Sequence, residues 1–335
     1  MKEKNIDFLA IGDIVIDAFI KLQDAEVHCN IDDEACMLSM RFGDKIPYES
    51  VKVIKAVGNG PNAAVSAARL GLSSATMTHL GNDDFGKECV QTLQENGVIT
   101  DYITVEDGKS TNYHYVLSFQ AERTILIKHE NYTYNLKKQT EDLIPRWVYF
   151  SSVGEDSLQY HADIAQWVSE NNIKMAFQPG TFQISLGAQK LADIYTATEI
   201  FFCNIEEAQK ILGEKNRDVK ILMKKMQELG PKIICITDGP DGAYAYDSYH
   251  DQYWFHPIYP DPKAPIERTG AGDSFSSTFT AAIGAGKTVQ EALSWGPINS
   301  MNVVQHIGAQ EGLLTRKQLE EYLVNKPENY KAELI

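Results

Sequence analysis

Residues 147–177 read WVYFSSVGEDSLQYHADIAQWVSENNIKMAF, and this stretch decides the fold class. Trp147 to Ser151 opens with an aromatic and β-branched run, the composition of a buried strand. His161 to Asn171 spaces its apolar residues as a helix does, and Lys174 to Phe177 returns to a strand. Two strands joined through a helix form a βαβ unit, which places both strands parallel in one sheet.

The same rhythm extends in both directions. Upstream, Phe8 to Ile16, broken by Gly12 and Asp13, and Val51 to Val57 read as strands. Helix Asn62 to Leu70, strand Ala75 to Leu80 and helix Phe85 to Asn96 follow. Downstream come helix Leu186 to Tyr195, strand Ile200 to Cys203, helices Glu206 to Leu212 and Val219 to Leu229, strand Lys232 to Thr237 and a hairpin from Ala243 to Phe255. Helices Ser274 to Gly284, Val289 to His306 and Arg316 to Leu323 close the chain. The pattern predicts an α/β fold with a doubly covered, mostly parallel sheet that binds ligands at the carboxyl ends of its strands.

Two stretches depart from this rhythm. Lys21 to Ser50 is mixed and acidic, while in Thr111 to His129 the residues Tyr113, Tyr115, Leu117, Phe119, Ile125 and Ile127 alternate around a turn near Ala121-Glu122. Both read as strands of a small satellite β-sheet. The expected division is a large α/β unit of residues 1–18, 53–110 and 131–335, and a discontinuous small-sheet unit of 19–52 and 111–130.

The chain has 335 residues, 43% of them hydrophobic, enough for a sizeable core. Its formal net charge of −15 repels nucleic-acid backbones, and no long basic run offsets it. No segment is long and apolar enough to span a bilayer, and the start of the chain does not read as a secretion signal. The five cysteines, Cys29, Cys36, Cys89, Cys203 and Cys235, have no paired spacing and read as reduced thiols, so the expected compartment is the cytoplasm. A protein this acidic that holds a polyanion needs local help, from helix N-terminal amides or a divalent cation.

Thr269-Gly270-Ala271-Gly272-Asp273 supplies such a place. It ends a proline-rich stretch and opens a helix at Ser274. Small residues let the backbone approach a ligand, and the amides and dipole of the first helical turn favour an anion. Asp273 beside that anion would be positioned to take a proton from an attacking hydroxyl. Read alone, the same residues also describe an ordinary helix cap after a flexible turn.

Thr269-Gly270-Ala271-Gly272-Asp273-Ser274-Phe275 resembles the carboxy-terminal signature of the ribokinase-like, or PfkB, carbohydrate and nucleoside kinases. Gly58-Asn59-Gly60-Pro61-Asn62 resembles that family's substrate loop, and Asn204-Ile205-Glu206-Glu207 its Asn-x-x-Glu motif; the likeness runs in order from about Ile11 to Leu314. The resemblance implies ATP-dependent phosphorylation of a hydroxyl, expected to be primary, on a small sugar such as ribose or fructose, with an adenosine-like nucleoside as the alternative. It implies Asp273 as base and the amides of Gly270, Ala271 and Gly272 as the anion site. It assigns the acceptor to Asp13, Asp17, Gly58, Asn59 and Asn62, with Arg123 of the satellite sheet reaching substrate or phosphate. The nucleotide falls to Asn204, Thr237, Gly239, Gly242, Thr269 and Asn299, and magnesium to Asn204 and Glu207, largely through water. The satellite sheet resembles the family's lid, which covers the acceptor and in many members pairs with a second subunit, so a homodimer is implied as well.

Two departures stand out: Val57 replaces the first glycine of the substrate loop, and Glu267-Arg268 replaces the more usual Asp-Thr before the anion loop, leaving a potassium site open. Other patterns are weaker. Ala281 to Thr288 spells a permissive phosphate loop, but it follows a helix rather than a strand and reads as a glycine helix end. Gly58-x-Gly60-x-x-Ala63 imitates a dinucleotide fingerprint, a reading that leaves Thr269 to Asp273 without a role. Asp24, Glu26, His28, Cys29 and Cys36 lack tetrahedral metal spacing and read as a solvated face. A non-catalytic sugar or nucleotide sensor is the alternative from another class, and it has no need of a general base.

Overall fold

The computed structural model describes residues 5–29, 36–120, 122–140 and 143–335. The chain begins with β1 (Phe8–Ile11), β2 (Val15–Leu22), β3 (Glu26–Cys29), β4 (Cys36–Ser39), β5 (Tyr48–Val57) and α1 (Asn59–Arg69). It continues through β6 (Ser74–Gly81), α2 (Asp84–Glu95), β7 (Ile99–Glu106), β8 (Asn112–Phe119), β9 (Glu122–Leu126), α3 (Leu136–Gln139), β10 (Trp147–Phe150), α4 (Leu158–Glu170) and β11 (Lys174–Phe177). Then come α5 (Thr181–Leu186), α6 (Ala192–Ala197), β12 (Ile200–Asn204), α7 (Ile205–Leu212), α8 (Val219–Glu228), β13 (Ile233–Thr237), β14 (Ala243–Asp247) and β15 (Gln252–His256). Helices α9 (Ala271–Gly284), α10 (Val289–Val303) and α11 (Arg316–Val324) precede the short β16 (Glu333–Leu334).

Ten strands form the main sheet in the order β16-β15-β14-β13-β12-β11-β10-β1-β6-β7. Neighbouring pairs from β7 to β13 are parallel, and the β14, β15 and β16 edge is antiparallel. Strands β1, β6 and β10 are buried along their whole length, as a sheet covered on both faces requires. Alternate residues serve opposite layers. Phe8, Ala10, Tyr149 and Phe202 pack with α1, α9 and α10, whereas Leu9, Ile11, Phe150 and Phe201 pack with α4, α6, α7 and α8.

A separate four-stranded sheet, β5-β2-β8-β9, forms the lid. Its strands cross the positions at which the division was drawn, so residues 15–18 and 53–57 are paired in this sheet. With β5 antiparallel to β2 in the lid, Gly58 to Ala63 does not sit in a βαβ unit, which removes the dinucleotide reading. Ala121, half of the expected lid turn, lies outside the described residues.

Three expectations are corrected. The helix expected from Leu186 to Tyr195 is two short helices, α5 and α6, because Gly187 takes a left-handed φ of 86° and ends the first. Strand β7 was not anticipated. Its half-exposed residues mix apolar with acidic side chains and lack the run that marks interior strands. Cys29 and Cys36 are joined by a disulfide, since they stand directly opposite each other in the β3–β4 hairpin. Cys89, Cys203 and Cys235 are buried free thiols, as the reading of reduced cysteines expected for these three. Among the described residues no helix is long and apolar enough to cross a membrane. At Gly284-Ala285-Gly286, α9 ends with the Lys287 amide returned to the Ala282 carbonyl, and Thr288 caps α10, so this stretch is a helix junction.

Candidate active site

The parallel strands end on one side of the sheet, and the residues just beyond them converge there: Asp13 after β1, Gln178 after β11, Asn204 at the end of β12 and Thr237 at the end of β13. Helix α9 points its N-terminus into this region. Gly270 caps it with φ 82°, and a Cβ there would lie 2.3 Å from the Cβ of Ala309. Only glycine fits both constraints. The Ala271 amide donates to the Arg268 carbonyl at 3.3 Å, closing the turn, and the Ser274 amide donates to the Gly270 carbonyl. Among the described residues the amides of Gly272 and Asp273 have no hydrogen-bond partner, the usual state of a first helical turn.

The half-buried Asp273 carboxylate accepts from the Asn59 side chain at 2.8 Å and Gln178 at 3.1 Å on Oδ1, and from Asn62 at 2.8 Å on Oδ2. Each donor is aimed by a second layer. Gln178 Oε1 accepts from the hydroxyls of Tyr149 and Ser276, which turns its amide nitrogen towards Asp273. Gln310 donates at 3.0 Å to Asn62 Oδ1, so Asn62 also presents nitrogen to the carboxylate. Burial pushes the Asp273 carboxyl above its ordinary range, and the Asn62, Gln178 and Asn59 amides pull it back. Burial, reinforced by the charge of Asp273, keeps the Tyr149 phenol protonated and able to donate.

Gly58 caps α1. This residue has φ 121°, and a Cβ would come within 2.4 Å of the Asp13 carbonyl oxygen. Asp13 is buried and accepts from the Tyr134 hydroxyl at 2.9 Å, with His129 Nδ1 at 3.3 Å. Asp17 lies 3.5 Å from His114 Nδ1. The structure therefore uses Asn59 and Asn62 to hold Asp273, while Asp13 has a histidine partner and Asp17 Oδ1 stands near His114 without a hydrogen bond among the described residues. Arg123, on lid strand β9, pairs at 3.1 Å with Glu267, whose same oxygen accepts from the backbone and hydroxyl of Thr269. Its other oxygen is buried without a partner.

Thr237, Gly239, Gly242, Arg268 and Met301 line a cleft of about 220 Å³ that ends at Ala271 and Gly272. Asn299 does not face it. That residue is fully buried, donating to Thr278 at 2.7 Å and accepting from the Leu314 amide at 2.9 Å. Asn204 and Glu207 form a reciprocal cap on α7, with the Glu207 amide on Asn204 Oδ1 at 2.8 Å and the Asn204 amide on Glu207 Oε2 at 2.9 Å. Burial raises the Glu207 carboxyl, the Asn204 amide lowers it, and the charge of Asp273 raises it further, which puts the two carboxylates within electrostatic reach.

A sequence profile described as pfkB family carbohydrate kinase matches residues 25–316. The chain belongs to this family. It is a phosphotransferase with an alcohol acceptor, and its fold is ribokinase-like. The ribokinase of Bacillus subtilis is 27% identical over 273 residues, covering 79% of this chain and 87% of that one. An ATP-dependent 6-phosphofructokinase of Thermoanaerobacterium thermosaccharolyticum is 22% identical over 318 residues, covering 92% and 90%. Among solved structures, Arabidopsis thaliana ribokinase, complexed with ribose and ATP, superimposes with a TM-score of 0.79 at 18% identity, over 95% of this chain and 99% of that one.

Gln178, Tyr149, Ser276, Tyr134, His129 and Arg268 were not singled out as site residues from sequence. The position of Gln178, one residue beyond a strand in a family that binds ligands at strand ends, was the available signal.

Proposed function

We propose that the chain transfers the γ-phosphoryl group of magnesium-bound ATP to a hydroxyl, the primary one, of a small sugar such as ribose or fructose. The observation that carries this is the Asp273 carboxylate, held by three side-chain amides beside the unpartnered first-turn amides of α9. Asn59, Asn62 and Gln178 fix the carboxylate so that it meets the acceptor hydroxyl in one orientation, and as the hydroxyl oxygen attacks phosphorus in line, Asp273 takes its proton. The Gly272 and Asp273 amides and the α9 dipole face the charge that grows on the transferred group. The lid excludes water, which would otherwise compete as acceptor.

The donor set at Asn204 and Glu207 fits magnesium. One carboxylate beside Asp273, with its second oxygen outside the helix cap, suits an ion that keeps most of its waters. Bound there, the ion would neutralise donor phosphate charge. The orphaned buried oxygen of Glu267 fits a monovalent cation such as potassium. The nucleoside reading draws support from Phe182, whose ring meets His129 at 5.3 Å and offers an aromatic wall. Exposed Val53, Tyr115 and Leu126 on the lid support a homodimer through that sheet, and the three buried thiols support a cytoplasmic site of action.

The test is ADP release with magnesium-ATP across free sugars and nucleosides, with Asp273→Ala as control. Acceptor-dependent release should fall by about a thousandfold or more in the variant while nucleotide still binds. Retained turnover in Asp273→Ala would refute the assignment of the base.

A further inference from the structure

Beside the acceptor aspartates lies a histidine pair that the reaction described above does not use. His129 Nδ1 faces Asp13 Oδ2 at 3.3 Å, and His114 Nδ1 faces Asp17 Oδ1 at 3.5 Å; the two imidazoles are 5.2 Å apart. A carboxylate oxygen accepts, so on His129 the Nδ1 that faces Asp13 carries the proton and Nε2 is left over, whereas Asp17 Oδ1 makes no hydrogen bond to His114 or to any other described residue. In His114, which is 9% exposed, Nε2 is likewise buried with no hydrogen-bond partner among the described residues. His129 stands in front and lines a cavity of about 290 Å³ shared with Tyr134, Gly154 and Phe182. A Cβ on Gly154 would sit 3.7 Å from Asp13 Oδ2, so this cavity abuts the Asp13 carboxylate.

The charge of the cavity limits what can enter. Glu130, Glu155 and Asp156 line it, and no lysine or arginine does. Lys109 pairs with Glu130 at 3.8 Å, and Arg123 is engaged by Glu267. Of the helix N-termini at this cavity, that of α4 is preceded by Glu155 and Asp156, which oppose an anion there, and that of α5, which contributes Phe182, belongs to a helix of only 6 residues. A phosphate group on the acceptor would meet carboxylates where recognition calls for guanidinium or ammonium groups. A hydroxyl both donates and accepts, and so satisfies a carboxylate and an imidazole nitrogen together.

We infer that His129, with Asp13, recognises a hydroxyl of an unphosphorylated polyhydroxy acceptor, and that His114, whose ring packs on His129, positions it from behind. This deepens the kinase reading and rests on it. The experiment compares D-ribose, D-fructose and adenosine with D-ribose 5-phosphate and D-fructose 6-phosphate in wild type, His129→Phe and His129→Gln. Expected are turnover favouring an unphosphorylated acceptor, a KM for it about tenfold higher in His129→Phe with kcat nearly kept, and partial recovery in His129→Gln, whose amide reaches the Nε2 position. Preference for the sugar phosphates, or an unchanged KM in a folded His129→Phe, overturns the inference. Diethyl pyrocarbonate labelling of wild-type His129, read by mass spectrometry, keeps the question open to test if the variants fail to fold: the best acceptor should protect His129, and absence of protection counts against it. Silence with every acceptor defeats the kinase reading and this inference with it, whereas turnover confined to the phosphorylated acceptors defeats the inference alone.

Discussion

At the scale of single residues, the proposed base is a tuned carboxylate. Burial raises the Asp273 carboxyl above the usual aspartate range, and hydrogen bonds from Asn62, Gln178 and Asn59 lower it again. Proton transfer needs the ionised form, so kcat/KM should fall as pH is lowered through a value above the ordinary carboxylate range near 4. Deleting one amide donor removes stabilisation of the charge. Gln178→Leu should therefore move this acid limb to still higher pH and lower the plateau about tenfold. A limb that stays in place or moves to lower pH would show that Gln178 does not bond the ionised base. Gly270 tests the anion loop in the same way. Gly270→Ala must bear a left-handed alanine and a Cβ 2.3 Å from that of Ala309, costing about 1–3 kcal/mol of stability in urea unfolding and at least tenfold in kcat. Gly272→Ala is the control: its Cβ meets nothing closer than Gln178 Nε2 at 3.8 Å, and its melting should match wild type.

At the scale of elements, the lid and the anion loop are joined by one contact. Arg123 comes from β9 and Glu267 from the segment before α9, and the glutamate also pins Thr269. With the side chains only 34% and 13% exposed, the pair is shielded better than an ordinary surface bridge. Arg123→Ala and Glu267→Gln should each lower kcat/KM, and the double variant should lose less than their sum, with a coupling of about 1 kcal/mol. Strict additivity would mean that the lid and loop act independently. No sequence pattern announces this pair, because its partners are distant in the chain and join only when the lid sheet folds over the loop. Gln178 was hidden for a similar reason: a single glutamine after a strand acquires meaning only from the carboxylate opposite. The Thr269 to Asp273 loop was legible because backbone geometry, helix start and acid are encoded contiguously. The Cys29–Cys36 bridge was not, since it depends on hairpin register. Strand β7 was missed because an edge strand needs only one buried face.

At the scale of the whole molecule, a chain of net charge −15 must admit a nucleotide that is itself an anion. The overall field opposes the encounter, while the N-terminus of α9 and Arg268 in the donor cleft favour it at short range. These effects separate by distance. The Debye length shrinks from about 30 Å at 0.01 M salt to about 8 Å at 0.15 M, so added salt erases the distant repulsion before it weakens contacts inside the cleft. The association rate of a fluorescent ATP analogue, followed by stopped flow at constant free magnesium, should thus rise a few-fold over this range, with dissociation changing less. Arg268→Ala should slow association at every salt concentration and steepen its rise with salt, since the repulsive field then acts without that opposing charge. A rate that instead falls with salt in the wild type would mean that attraction by the cleft reaches beyond its own walls and outweighs the net charge of the chain.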